Sequence, residues 1–186
     1  LRRDVKTQAK SLLRKFSSVS GLLSACPNDI ASVKGLNKES AALISLVHAI
    51  HTKYFEEKMI GSNPLSAPEE VVNFSKVYLA EKSDENLMAV FVNSKNKVAG
   101  YEIISEGTVD AAVVYPRKII RKTLDNNANG IILVHNHPSG APAPSSDDIS
   151  LTKAVKNAAA SMDIRLLDHI IIGKNGYLSF LEKGML

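Results

Sequence analysis

Apolar positions follow two regimes along this chain. Up to about residue 57 they recur at three- and four-residue spacing: Leu12, Leu13 and Phe16, then Leu43, Leu46, Val47 and Ile50. That is the period of amphipathic helices. Between the two groups, Val33-Lys34-Gly35-Leu36-Asn37-Lys38-Glu39 reads as a turn joining helices, and no strand is predicted in this part. Gly61, Ser62, Asn63, Pro64 and Ser66 then read as a linker. Ser66-Ala67-Pro68-Glu69 reads as a capping box opening a helix through Val72, Phe74, Val77 and Tyr78.

From Asn86 the period changes. Leu87 to Val92 reads as a strand, Asn93 to Asn96 as its turn, and Val98 to Ile104 as the returning strand. Val109 to Val114 is expected to add another. Pro116 starts a helix to about Leu124, and Ile131-Ile132-Leu133-Val134, between Gly130 and Pro138, reads as a buried strand. A proline-rich loop follows through Pro138, Pro142 and Pro144. A helix then runs through Ile149, Leu151, Val155 and Ala158-Ala159. Ile164 to Leu167, Asp168 to Ile172 and Gly176 to Phe180 read as closing strands. Strands alternating with helices predict a sheet covered by helices, an α/β layered domain, behind a small all-α domain. The expected boundaries are 1–57 helical, 58–66 linker and 67–186 for the α/β domain.

Composition narrows the class. Hydrophobic content of 45% and charged content of 23% over 186 residues suit a soluble globular protein. No apolar run approaches the ~20 residues of a membrane helix, so no membrane partner is expected. Leu1-Arg2-Arg3-Asp4 lacks the apolar core of a signal peptide and a starting Met, so a fragment or processed chain is expected. The single Cys26 excludes an internal disulfide and fits the cytoplasm. Net charge is +4, too weak to define a nucleic-acid binder. Its distribution is uneven: Arg2, Arg3, Lys6, Lys10, Arg14 and Lys15 crowd the start, and Arg117, Lys118, Arg121 and Lys122 share one predicted helix. Each group reads as a solvated helix face or, more sharply, as a phosphate contact.

The chemistry concentrates at His135-Asn136-His137, with Ser145 and Asp148 following. On a strand, residues two apart share a face, so both imidazoles project together and Asn136 points away. The helix opening at Ser145 brings Asp148 back towards the strand end. Two His and one carboxylate suit a catalytic zinc ion that keeps its fourth position open. Ser-x-x-Asp is equally the start of a capped helix, and Ser145 can cap while Asp148 faces a metal. Asp168 and His169 read either as groups orienting a ligand histidine or as a plain turn and an edge-strand histidine. His48 and His51 read as ordinary side chains.

These words resemble the MPN (JAMM or JAB) metal-hydrolase family, and within it the bacterial RadC proteins. The JAMM signature is a Glu, then H-x-H, seven residues, S, two residues and D, which His135, His137, Ser145 and Asp148 match without a gap. Further RadC-like words are H-N-H-P-S-G, Gly107-Thr108-Val109, Tyr115-Pro116-Arg117 and Asp168-His169-Ile170-Ile171-Ile172-Gly173. The resemblance covers residues 66 to 186. It implies a three-layer helix-sheet-helix MPN (JAB, cytidine-deaminase-like) domain, with His135, His137 and Asp148 as zinc ligands. It also implies Ser145 as the hydroxyl that steadies a tetrahedral intermediate. The family Glu begins an upstream strand, where Glu85 fits best and Glu102 and Glu106 are rivals. The implied reaction is hydrolysis of an amide or isopeptide bond in a protein or peptide substrate.

The N-terminal part resembles the helix-hairpin-helix segment that precedes this domain in RadC proteins, departing at Asn37, where glycine is usual. The first helices of a full-length member are expected upstream. RadC proteins carry a DNA-repair label. The alternative reading is therefore a DNA-binding protein of repair or recombination, with the metal domain as nuclease or accessory module.

Overall fold

The computed structural model describes residues 5–79, 82–107, 114–174 and 176–186. The chain divides into two units, Leu1–Tyr54 and Phe55–Leu186.

The first unit is helical: α1 (Lys6–Phe16), α2 (Val19–Leu23), α3 (Pro27–Ala31) and α4 (Lys38–Met59), whose last residues belong to the second unit. Its core is Leu12, Ile30, Val33 and Ala41, with Phe16, Leu22, Leu36 and Ile44 packed against it. The predicted helix is present at α4, but its apolar stripe is not what it buries. Leu43, Leu46, Val47 and Ile50 are 53–64% exposed, while Ala41 and Ile44 face the core. Periodicity finds a helix; it does not choose between two apolar faces of one helix.

The second unit continues with α5 (Pro68–Leu79), β1 (Glu85–Val92), β2 (Val98–Gly107), α6 (Pro116–Asp125), β3 (Gly130–Asn136), α7 (Ser146–Ala160), β4 (Arg165–Gly173) and β5 (Gly176–Ser179). The sheet order is β2-β1-β3-β4-β5. Among the described strands only β3–β4 is parallel, and α7 makes its crossover. β3 is buried at every position, so its apolar run needs no alternation.

Alternate side chains divide the core in two. Met88, Val90, Ile132, Val134, Ile170 and Ile172 pack with Val71, Val72 and Phe74 of α5. Leu87, Ala89, Phe91, Ile131 and Leu133 pack with Ile119 and Ile120 of α6 and Val155 and Ala159 of α7. The result is the expected helix-sheet-helix layering.

Three local expectations change. The two strands predicted around Leu167 and Asp168 are one, β4, with a register shift opposite Ile131/Ile132. Helix α5 begins at Pro68, so Ser66 stands one position too early to cap it. Its hydroxyl donates to Asn63 O (3.3 Å) instead. The segment read as a linker is tied into this unit. Met59 is fully buried, Gly61 N–H donates to Val98 O (2.8 Å) and Val98 N–H to Ser62 O (2.9 Å). The strand expected at Val109 to Val114 lies, but for its last residue, outside the described residues. Among the described residues no helix is long and apolar enough to cross a membrane.

Candidate metal centre

The end of β3 carries the site because both neighbours hold it. His135 pairs with Leu87 of β1 and Ile171 of β4, and His137 N–H donates to Ile172 O (2.9 Å), one step past the strand. Both imidazoles therefore fall on the sheet face that α7 covers. Their Nε2 atoms are 2.8 Å apart. Asp148 brings Oδ1 to 3.2 Å from His135 Nε2 and Oδ2 to 3.4 Å from His137 Nε2. One ligand atom from each residue lies within 4.8 Å of the other two.

The ring protons decide what this cluster accepts. His137 Nδ1 is 3.0 Å from Ala141 O, which only accepts, so the proton sits on Nδ1. Thr152 Oγ1–H donates to Asp148 O (2.6 Å), which leaves its oxygen to accept from His169 Nδ1 (2.6 Å). His169 Nε2 is then an acceptor, and His135 Nδ1, 2.8 Å away, must donate to it. In the neutral state both Nε2 atoms present lone pairs to each other and to a carboxylate. Three acceptors facing one point could hold a cation, and this N, N, O set suits zinc or another divalent ion.

Charge follows the same logic. Burial works against ionising Asp148, but hydrogen bonds with His135 and His137, the charge of His135 and the Ser145 N–H hold it well below the usual carboxylate range. The bond with Asp148 raises the His137 pKa; burial opposes this, and Ala141 O and the charges of Asp148 and Glu85 add to it. His169 is pushed down to about 3, chiefly by burial and then by His135, so it stays neutral.

Ser145-x-x-Asp148 is a capping box, and it leaves the Asp148 carboxylate facing the two imidazoles. Asp148 N–H donates to Ser145 Oγ (3.1 Å), while Asp148 Oδ2 accepts from Ser145 N–H and Oγ–H (both 2.7 Å). The loop between His137 and Ser145 is laid on the end of β4. Gly140, at φ +92°, bonds back to His137 O (2.9 Å) and accepts from Lys174 N–H (3.1 Å). A Cβ at Gly173 would stand 2.4 Å from Gly140 O, so only glycine fits there.

The three glutamates separate by face and by what holds them. Carrying the β1–β3 register from Leu87↔His135 two steps further sets Glu85 across from His137. Glu102, opposite Ala89, shares that sheet face but is held by Lys122 (2.7 Å) and Asn126 (2.9 Å) of the α6 region. Glu106 is opposite Asn86, on the other face. Asn136 does point away from the histidines, but its role was not visible in the sequence. Its Oδ1 accepts from Asn86 N–H (2.8 Å) and its Nδ2 donates to Asp84 O (3.0 Å), fixing the chain where it enters β1 beside Glu85.

Asp168 and His169 have different surroundings. His169 reaches His135. Asp168 accepts from Ser179 Oγ–H (2.6 Å) and from the N–H groups of His169 (2.7 Å) and Leu181 (2.9 Å). It touches His169 only through the backbone, and burial raises its pKa against those bonds. Of the two, the His169 side chain is the one within hydrogen-bond distance of His135.

The basic groups are engaged in part. Lys15 donates to Asp29 O and Ser32 Oγ (both 2.8 Å), and Arg2 and Arg3 lie outside the described residues. On α6, Lys118 donates to Ile104 O, Lys122 pairs with Glu102, Arg121 with Asp125 (3.9 Å), and Arg117 lies over the Tyr115 ring. Asn37 Oδ1 accepts from Ser40 N–H (2.9 Å), so this side chain takes one of the amides a phosphate would use at the start of α4.

Residues 65–185 match the RadC-like JAB domain family. A UPF0758 protein of Aliivibrio fischeri (strain MJ11) is 38% identical over 176 residues, covering 95% of this chain and 79% of the relative. A UPF0758 protein of Marinobacter nauticus (strain ATCC 700491 / DSM 11845 / VT8) is 34% identical over 182 residues, covering 98% and 81%.

Proposed function

The chain belongs to the RadC-like JAB domain family, and on that footing we propose that it is a zinc-dependent hydrolase of the JAMM type, cleaving a peptide or isopeptide amide bond with water. The observation that carries this reading is the convergence of His135 Nε2, His137 Nε2 and the Asp148 carboxylate, with both ring protons turned elsewhere. These three residues would hold the zinc. Zinc supplies Lewis acidity and makes water a nucleophile near neutral pH.

The remaining roles fall to side chains. Glu85, exposed at the start of β1 and across from His137, takes the water proton and returns it to the leaving amine. The Ser145 oxygen is pinned by the Asp148 N–H, but its proton can rotate from Asp148 towards a substrate carbonyl as negative charge grows there. Phosphodiester cleavage fits this centre less well, because Mg²⁺ sites favour several oxygen ligands over two imidazoles. The cytoplasm is the proposed compartment, since the lone Cys26 is an exposed thiol.

Zinc content tests the assignment. The wild-type protein should purify with stoichiometric zinc and His137→Ala should lose it; unchanged zinc in the variant refutes the ligand set. The zinc-loaded protein should then cleave members of a peptide and isopeptide panel, and Glu85→Gln should abolish cleavage without changing zinc content.

DNA contact by the N-terminal unit is a second reading, favoured by Lys10 and Arg14, exposed one turn apart on α1. Charge reversal of both should remove any salt-sensitive DNA binding.

A further inference from the structure

We infer that Thr152 and His169 are positioning residues of the metal centre, forming a relay that sets the His135 tautomer and closes back on Asp148. The inference rests on the metal-centre reading above. The relay has three links: His135 Nδ1–H to His169 Nε2 (2.8 Å), His169 Nδ1–H to Thr152 Oγ1 (2.6 Å), and Thr152 Oγ1–H to Asp148 O (2.6 Å). It starts on one ligand and ends on the backbone of another.

Each part is fixed in place. His169 is fully buried, and its ring stacks on Phe180 at 4.8 Å between centroids. Thr152 is 2% exposed, one turn beyond Asp148 on α7. The polarity of the relay has a single origin, because a backbone carbonyl cannot donate. The Thr152 proton must go to Asp148 O, and every later proton in the line is thereby directed. The last consequence is that His135 keeps Nε2 bare towards His137 and Asp148. A histidine with its proton on Nε2 could not be a ligand there without first losing or moving it.

A merely structural threonine would also bond to Asp148 O, since this is a common hydroxyl-to-backbone bond within a helix. The difference lies in what happens when the hydroxyl goes. Thr152→Val keeps shape and removes the acceptor for His169 Nδ1–H. His169 then gains by moving its proton to Nε2, where it faces His135 Nδ1. His135 answers by becoming the acceptor and carrying its own proton on Nε2, inside the ligand set. Thr152→Ser keeps the hydroxyl and should keep the relay.

The test uses the full chain, stripped of metal, as wild type, Thr152→Val and Thr152→Ser. Histidine tautomers are read by nitrogen-15 NMR of the imidazoles, and zinc affinity by competition with a chromophoric chelator. The wild type and the serine variant should show His135 protonated on Nδ1. The valine variant should shift that proton towards Nε2 and bind zinc about 10–100-fold more weakly, the range for losing a group that orients a ligand histidine. His169→Gln, which can offer an amide oxygen to His135, should bind zinc more tightly than His169→Phe. A valine variant with the wild-type tautomer, or with a moved tautomer and unchanged affinity, overturns the positioning role. If the wild type fails to bind zinc at all, the hydrolase reading falls, and so does the positioning of a ligand. The tautomer result then reports separately whether the hydrogen-bonded line exists.

Discussion

Helices α4 and α7 start alike and serve different ends. At each, a polar side chain accepts from the backbone N–H three residues on: Asn37 Oδ1 from Ser40 (2.9 Å), and Ser145 Oγ from Asp148 (3.1 Å). At α4 the exchange closes on itself, because the Ser40 hydroxyl also donates to Asn37 Oδ1 (2.7 Å). At α7 the third residue is a carboxylate with about four lone-pair directions, and the cap does not use them all. Oδ2 takes the Ser145 N–H and O–H, and Oδ1 is left facing His135. A cap can double as the proposed ligand without ceasing to be a cap once the residue at its third position has acceptors to spare and a strand end brings imidazoles to it.

The largest effect expected is on that spare capacity. Asp148→Asn keeps size and an oxygen for the Ser145 N–H but removes the charge. Zinc affinity by calorimetry should fall at least ~100-fold with helix content unchanged by circular dichroism, beyond the range for groups that merely orient ligands.

Next comes pH, which should affect the α7 start and leave the α4 start alone, since Asn37 and Ser40 do not titrate. In metal-free protein, His169 stays neutral in the fold down to about 3, while the unfolded chain takes that proton below 6.5. Stability should therefore fall as pH drops through that window. Asp148, depressed by its partners, adds a further loss below 3.8 as pH falls towards its folded value. His137 has the opposite sign: its raised pKa stabilises fully below 6.5, and that share is lost as pH rises through its folded pKa. Urea unfolding of the second unit should thus peak in stability near 6.5, and a flat profile would contradict the electrostatics described.

Smaller again, Asn37→Ala should cost about 1 kcal/mol, the usual value of a helix cap. Hydrogen exchange at the first turn of α4 should show it, with zinc affinity untouched. Least of all, Ser66→Ala should change stability by less than ~0.5 kcal/mol, because its hydroxyl bonds only to Asn63 O and caps nothing.

What the sequence disclosed lies within single elements. The strand period put His135 and His137 on one face, and the Ser145-x-x-Asp148 spacing put a carboxylate at a helix start. Both follow from geometry a few residues long. What it concealed depends on how elements are set against each other. Thr152 and His169 are 17 positions apart, and nothing in either's neighbourhood says that β4 brings one to the other. The buried hold of Asn136 on Asn86 spans 50 positions and requires the β1–β3 register. The exposed Leu43 stripe of α4 shows the same limit. A period defines faces, and only the packed neighbours say which face is inside.

Gly173 carries the last consequence. It supplies no side chain to the cluster, yet its missing Cβ lets Gly140 O settle against β4. The loop so seated is the covalent span between His137 and Asp148. An alanine at 173 would act as a wedge under that span, between the two segments that carry the proposed ligands, from a strand that offers neither. The seating of the loop between His137 and Asp148 is thus gauged by a single hydrogen atom.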